Sequence, residues 1–427
     1  MHGRTPAGVH EAVRRPRAVL TGLIVSLALG LTACGAQGGG GGTVRQVQGN
    51  TLTVFSSLPL QAASRGTSEA INKGAKLALK QAGGKAGNFQ IKFVELDDAT
   101  AAAGKWEPGP VNQNARKAVQ DKSTIAYLGE FNSGASAISI PILNKAGIFQ
   151  VSPSNTGVGL TVADPAEPGT PDKYYPKGKR HYARVVPKDS VQGPALVTAM
   201  KDDGCTTVSI LNDKEVYGKG LAGQVEKAAE ENGIQVLGNE GIDIKAPNYR
   251  SQAEGNQADC FFFGGLTASN GVQVFKDIAA ANPDVKLYGG DGICEGAAVN
   301  PSEGGMPPDV ASKYRCTAPF VPAEEQPEAA GREFFADFES EYAEKNPEPY
   351  AIYGYESMAL ILDAIERAGS RGNDRQAVIE AALNTKNRRS VLGEYSIDDN
   401  GDTTLTTEAL FGVENGELSF VRNIEQR

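Results

Sequence analysis

The chain predicts an α/β protein of two similar lobes, each a parallel sheet covered by helices on both faces. Three observations lead there. Short apolar strands alternate with helical repeats almost without interruption, and repeated β-α units form parallel sheets. The alternation runs once and restarts near Val208. The roughly 380 residues after the first 49 also exceed one compact core, which points to two lobes or one large domain with insertions.

The N-terminus stands apart from this pattern. Arg14, Arg15 and Arg17 precede an apolar run, Ala18 to Ala33, that is too short and Gly-interrupted for a comfortable membrane span but suits a secretory signal. The run closes in Leu31-Thr32-Ala33-Cys34, which resembles the lipobox of bacterial lipoproteins. That resemblance implies that Cys34 is acylated and becomes the first residue of the mature chain, since two acyl chains hold a soluble domain on a bilayer. A plain secretory signal with a chance cysteine is the alternative. Gly35 to Gly42, nearly all Gly, reads as a flexible leash. Residues 1–33 are thus the signal, 34–49 the lipidated cysteine and tether, and folding starts near Thr51.

From there the elements follow in order. Thr51 to Ser56 reads as a short buried strand. Thr67 to Ala82 carries Ile71, Ala75, Ala78 and Leu79 at helical spacing, and Gly83-Gly84 stops it. Phe89 to Leu96 is a strand ending in Asp97-Asp98, Asn112 to Gln120 a helix and Ile125 to Gly129 a strand. Ser136 to Lys145 is a helix tolerating Pro141, and Ile148 to Val151 a strand. The second series comprises strand Val208 to Leu211, helix Gly220 to Asn232 and strand Gln235 to Gly238. Strand Cys260 to Phe263, helix Asn270 to Ala281 and strand Lys286 to Gly289 complete it. Ligands in open α/β sheets bind beyond the carboxyl ends of the strands, so two facing lobes place a site between them.

Charge and cysteines narrow the function. Removing residues 1–33 takes away four arginines and one glutamate, which moves the net charge from −9 to −12. An acidic surface without a Lys/Arg cluster argues against nucleic acid as a partner. Five cysteines less Cys34 leave Cys205, Cys260, Cys294 and Cys316, an even set that in an exported chain reads as two disulfides. Cys205 and Cys260 each sit just before an apolar strand, and Cys294 and Cys316 flank a Gly/Pro-rich loop. The pairing 205–260 with 294–316 is therefore preferred over the two others. Zinc is disfavoured, because the cysteines lack C-x-x-C spacing and a nearby histidine.

The chain from Thr51 to its end carries a family resemblance. Its markers are Ser64-Arg65-Gly66 with Asn72-Lys73-Gly74-Ala75, Leu128 to Ala135, and Val151 to Thr156. Arg184 to Asp189 with Gln192-Gly193, Tyr217-Gly218-Lys219-Gly220, and Gly393 to Asp398 with Asn400-Gly401-Asp402 complete the order. Together they resemble the type I periplasmic binding proteins of ABC importers, in the Leu/Ile/Val-binding branch. The resemblance implies two Rossmann-like lobes with parallel sheets joined by three crossovers, near Pro187, Pro319 and Thr406. Lobe 1 is then 50–186 plus 320–405, lobe 2 is 187–319 plus 406–427, and Asp164 to Lys179 is a loop insertion on lobe 1. It also implies a monomer that captures a small polar ligand, an amino acid of branched-chain type or related, and delivers it to a permease without a cofactor. The implied location is the outer face of the cytoplasmic membrane, held there by lipid.

Residue chemistry suggests how an amino acid would be held. Its carboxylate needs hydroxyls and N–H donors at a helix N-terminus. Ser133 and Ser154 with Thr156 fit, and by resemblance Ser133 and Thr156 match the family's carboxylate-binding hydroxyls; such residues also cap helices and turns. The ammonium needs a carboxylate and an aromatic wall. Asp291 and Tyr217 stand where the family has an acid and a tyrosine. Two departures put leucine in question: the acid is Asp rather than Glu, and Arg65 replaces a tryptophan. Arg65 either pairs with a second acidic group on the ligand or faces solvent. Tyr350, Tyr353 and Tyr355 are read as packing.

Enzyme chemistry finds little support. Of His2, His10 and His181 only the last survives removal of the signal, and no acid or nucleophile is evident near it. Asp97-Asp98 is read as a solvated strand end. Asp398 to Asp402 resembles a calcium loop, but its Gly is misplaced and position twelve is Ala409. A surface-anchored hydrolase is therefore the weaker alternative, and a ligand sensor of the same fold the nearer one.

Overall fold

In the computed structural model, residues 45–255 and 257–424 are described; Cys34, the signal and the glycine leash lie outside them. The chain builds two sheets in succession. In the first series β1 (Thr51–Leu58) leads into α1 (Arg65–Gln81), then the hairpin β2 (Lys85–Ala86) and β3 (Phe89–Asp97). A small hairpin of β4 (Ala99–Thr100) and β5 (Lys105–Trp106) precedes α2 (Pro108–Gln120). Next come β6 (Thr124–Gly129), α3 (Ser133–Ala146), β7 (Phe149–Ser152) and β8 (Tyr182–Arg184). The sheet order is β2-β3-β1-β6-β7-β8, and all pairs but the β2–β3 edge are parallel. A central parallel strand is covered on both faces, and seven of the eight residues of β1 are buried.

The second series starts with α4 (Asp189–Asp202), β9 (Thr207–Asn212), α5 (Val216–Glu231) and β10 (Gln235–Gly241). It continues through α6 (Arg250–Glu254), β11 (Cys260–Gly264), α7 (Gly271–Ala281), β12 (Lys286–Gly289), α8 (Gly296–Val299) and α9 (Pro308–Ala311) to β13 (Tyr314–Ala318). The chain then returns to the first lobe as α10 (Ala329–Tyr342), α11 (Ala351–Arg367) and α12 (Arg375–Leu383), followed by the hairpin β14 (Arg388–Ser390) and β15 (Gly393–Tyr395). It crosses a third time to supply β16 (Glu408–Glu414) and β17 (Glu417–Ile424), which complete the order β10-β9-β11-β12-β13-β16-β17. This is the two-lobed α/β architecture that the sequence predicts.

Two helix faces lock the first lobe. α1 and α11 cross so closely that a Cβ on Gly74 would lie 2.0 Å from the Ala351 carbonyl oxygen, and one on Gly354 would lie 2.1 Å from that of Ile71. Gly74 is thus needed for backbone contact, not for flexibility. The first crossover is held by Arg184. Its fully buried guanidinium donates to Asp402 Oδ1 at 2.8 Å and to the carbonyls of Asn155 and Gly157, and Thr161 completes its set of partners. Lys188 takes the other Asp402 oxygen at 2.7 Å. Burial raises the Asp402 carboxyl, but Arg184 and Lys188 outweigh it and hold the pKa down at about 2. The Asp398–Asp402 loop is therefore a structural clasp. Gly401 (φ +96°) sits in it against the Tyr182 carbonyl, where a Cβ would meet oxygen at 2.2 Å.

Cys205 is joined to Cys260 with Cα atoms 5.9 Å apart, and Cys294 to Cys316 at 5.5 Å. The first bond ties the entrances of the paired strands β9 and β11, and the second anchors the loop after β12 to β13.

Several details depart from the sequence reading. Residues 45–47, placed in the tether, join the fold: Val47 is fully buried, and its N–H donates to the Asn373 carbonyl at 2.8 Å. Asp98 is buried, not solvated, and lies against Glu130. Burial raises both carboxyls; the charge of Glu130 adds to the rise of Asp98, whereas the hydrogen bond with Asp98 draws Glu130 back. Helix α3 begins three residues earlier than its apolar spacing suggested.

Candidate functional site

The carboxyl ends of both sheets face each other across a seam. On the first lobe the turn from β6 into α3 is cross-braced. Ser152 Oγ donates to the Glu130 carbonyl and accepts from the N–H groups of Ser154 and Asn155. Ser154 Oγ and the Asn155 amide both donate to the Phe131 carbonyl. Ser133, first residue of α3, accepts the Gly157 N–H on its Oγ at 3.1 Å. Ser133, Ser154 and Thr156 thus converge on one shelf at a helix N-terminus, the polarity that suits an anion. The Thr156 hydroxyl is buried and faces Asp189 without completing a hydrogen bond of normal geometry.

The second lobe supplies the opposite charge. Tyr217, in the first turn of α5, donates its hydroxyl proton to Asp291 Oδ1 at 2.7 Å and accepts the Gly292 N–H at 2.9 Å. The glycines around Asp291 follow from this packing, because a Cβ on Gly290 would lie 2.6 Å from the Tyr217 hydroxyl, and one on Gly292 2.7 Å from the ring. Tyr350, at the entrance to α11, reaches over from the first lobe and donates to Asp291 Oδ2 at 2.6 Å. Its ring meets Phe131 edge-on at 5.7 Å. Burial raises the Asp291 carboxyl, opposed by the Tyr350 and Tyr217 hydroxyls.

Further polar groups line the seam. Asp189 and Gln192 on α4 and Glu408 at the start of β16 are fully buried, and their side-chain oxygens and nitrogens have no hydrogen-bond partner. Burial, then the charge of Asp291, pushes the carboxyls of Asp189 and Glu408 well above the usual range. Two cavities open here. One, about 190 Å³, is lined by Gly157, Val158, Asp164, Lys214, Glu215 and Gly220. The other, about 10 Å³, lies among Thr67, Phe131, Asp291, Glu295, Glu348 and Tyr350. A groove of about 340 Å³ by Leu237 and Phe261 sits on the outside of the second lobe, away from these residues.

The structure therefore gathers five of the six residues that the sequence proposes for the ligand. Arg65 is the exception: at the start of α1 it projects to solvent and pairs with Glu69 at 2.7 Å, one helical turn away. Tyr350, read as packing, is instead a bridge between the lobes. The sequence reading also passed over Asp189, Gln192 and Glu408. The signal for the first and last was their place just beyond two crossovers. Another link across the seam joins the β4–β5 hairpin to α5: Lys105 pairs with Glu215, and Trp106 Nε1 donates to Glu215 Oε2 at 3.1 Å.

Comparison with known proteins adds findings of three kinds. A family model described as periplasmic binding protein matches residues 56–417. A Leu/Ile/Val-binding protein homolog of Brucella abortus is 27% identical over 374 residues, 84% of this chain and 89% of the relative. A leucine-, isoleucine-, valine-, threonine- and alanine-binding protein of Pseudomonas aeruginosa is 25% identical over 342 residues, 77% and 81% of the two chains. Among solved structures, the leucine binding protein LivK of Thermotoga maritima superposes with a TM-score of 0.75 at 20% identity, over 87% of this chain and 98% of that one. A solute binding protein of an ABC transporter from R. palustris, in complex with benzoate, gives 0.71 at 19% identity, over 87% and 96%.

Proposed function

The chain belongs to the periplasmic binding protein family, and on that premise we propose that it is the extracytoplasmic substrate-binding component of an ABC importer, taking up an α-amino acid or a close relative. It is a binding protein, not an enzyme. The observation that carries the ligand class is the pairing of opposite recognition surfaces across one seam. Ser133 and Thr156 at the α3 N-terminus suit a carboxylate, and Asp291 framed by Tyr217 and Tyr350 suits an ammonium. Benzoate, the ligand of one structural relative, has no group to satisfy Asp291.

In this reading the lobes are residues 50–186 with 320–405 and 187–319 with 406–427. The ligand settles on one lobe, the other closes over it about the crossovers, and the closed form docks on a permease. The protein acts as a monomer, and acylated Cys34 with its glycine leash keeps it beside that permease. Among the described residues no helix is long and apolar enough to cross a membrane.

Calorimetric titration of the purified protein with a panel of amino acids tests the reading. Ser133→Ala and Asp291→Ala should each weaken binding by about 1.5–3 kcal/mol, the range for hydrogen bonds to charged groups. Unchanged affinity in both variants sinks the site assignment.

A further inference from the structure

The second lobe presents more negative charge to the seam than one ammonium answers. Asp189 in the first turn of α4, Asp291 after β12 and Glu408 at the start of β16 all lie at the carboxyl edge of that sheet. Asp189 and Glu408 are fully buried, and all four of their carboxyl oxygens lack a hydrogen-bond partner. The amide of Gln192 lies against Glu408 and Asp291 without completing a hydrogen bond of normal geometry, and its Oε1 lies 2.8 Å from a Cβ built on Gly290.

Of these groups, Asp189 lies close to the larger seam cavity. A Cβ on Gly220, which lines it, would have Asp189 Oδ2 at 3.9 Å and Asp164 Oδ2 at 4.0 Å. Lys214 and Lys219 line that cavity and are exposed to solvent; the other cations nearby are engaged. Arg184 and Lys188 hold Asp402, Lys105 holds Glu215, and Arg65 lies outside with Glu69. A buried carboxylate needs either a proton or a cation. A neutral amino acid brings one ammonium, which Asp291 takes, and leaves Asp189 and Glu408 to be neutralised by protons alone.

We propose that the ligand is an α-amino acid whose side chain ends in a second cationic group, an amine or a guanidinium. Its backbone ammonium lies on Asp291, and its terminal cation lies between Asp189 and Glu408, with Gln192 as a further partner. This inference rests on the amino-acid reading of the cleft and names the side chain that reading leaves open.

Titration calorimetry with L-arginine, L-lysine and L-ornithine, against L-leucine, L-isoleucine and L-glutamate, decides it. At least one basic amino acid should bind about tenfold or more tighter than leucine. Asp189→Asn and Glu408→Gln keep shape and remove only charge. Each should reduce the affinity for that basic ligand about tenfold or more, and change that for leucine less. Thermal melts of the ligand-free variants at or above the parent's show that the fold is intact, and either variant alone suffices for the test. Leucine binding tighter than every basic amino acid, or equal losses for both ligand types, overturns the inference and leaves the amino-acid reading standing. No binding of any α-amino acid overturns that reading itself.

Discussion

Glu295 shows how a single side chain in the seam registers pH. Burial raises its carboxyl to about 7, with the nearby Glu348 adding to the rise. A carboxyl raised in the folded state favours the protonated fold, so its contribution is complete below its unfolded value and is lost as pH rises through 7. Asp213, raised by burial and by Glu215 to about 6, acts in the same sense. His181 acts in the opposite one: burial lowers it to about 3, so its contribution is present above the ordinary value of 6.5 and is lost as pH falls below it. Glu295→Gln should therefore gain stability over the parent at pH 8 and not at pH 5. His181→Gln should flatten the acid limb below pH 6.5. Urea denaturation across that range reads both, and a constant offset at every pH contradicts the assignments. His181 also shows what sequence alone conveys. Its isolation from any acid or nucleophile was legible, but its burial against Asn144 Nδ2 at 2.9 Å was not, because Tyr175 and the loop around it close over the ring.

At the level of elements, the α1–α11 crossing shows most directly how sequence becomes architecture. Helical spacing located α1 correctly, since Ile71, Ala75 and Ala78 all point into the core. It did not show why Gly74 stands among them. The reason is a partner helix almost 300 residues distant, whose backbone occupies the place of a side chain (about the separation of Gly74 from Gly354). Gly74→Ala must push α11 away from its seat on the first sheet. The expected cost is about 2 kcal/mol or more, since overpacking against backbone finds no rotamer to relieve it. Chemical denaturation measures it, and a neutral result would mean that the helices sit farther apart. The same long-range blindness hid Asp189 and Glu408. Each looks like an ordinary loop-end acid until the sheet brings residues from positions 189, 291 and 408 to one edge. The role of Tyr350 is hidden for a related reason, because it depends on an aspartate in the other lobe.

For the molecule as a whole, closure is a balance between links across the seam and hydration of the surfaces they join. Tyr350 on Asp291 and the Lys105–Glu215–Trp106 cluster both join opposite lobes. Apparent affinity scales with the population of the binding-competent closed form. Glu215→Ala removes the partner of both Lys105 and Trp106 without touching Asp291, so it should weaken ligand binding several-fold by opening the lobes, at about the value of one partly buried pair.

The indole in that cluster has a use beyond holding the lobes together. Trp106 is the single tryptophan of the chain, and it packs against Gly134 while its N–H rests on the opposite lobe. Separation of the lobes takes Glu215 from the N–H and admits water to the ring, so emission under selective excitation should shift to the red. The wild-type protein thus carries its own optical gauge of closure, with no dye attached. Added ligand should move the band to the blue, and Glu215→Ala should begin farther to the red.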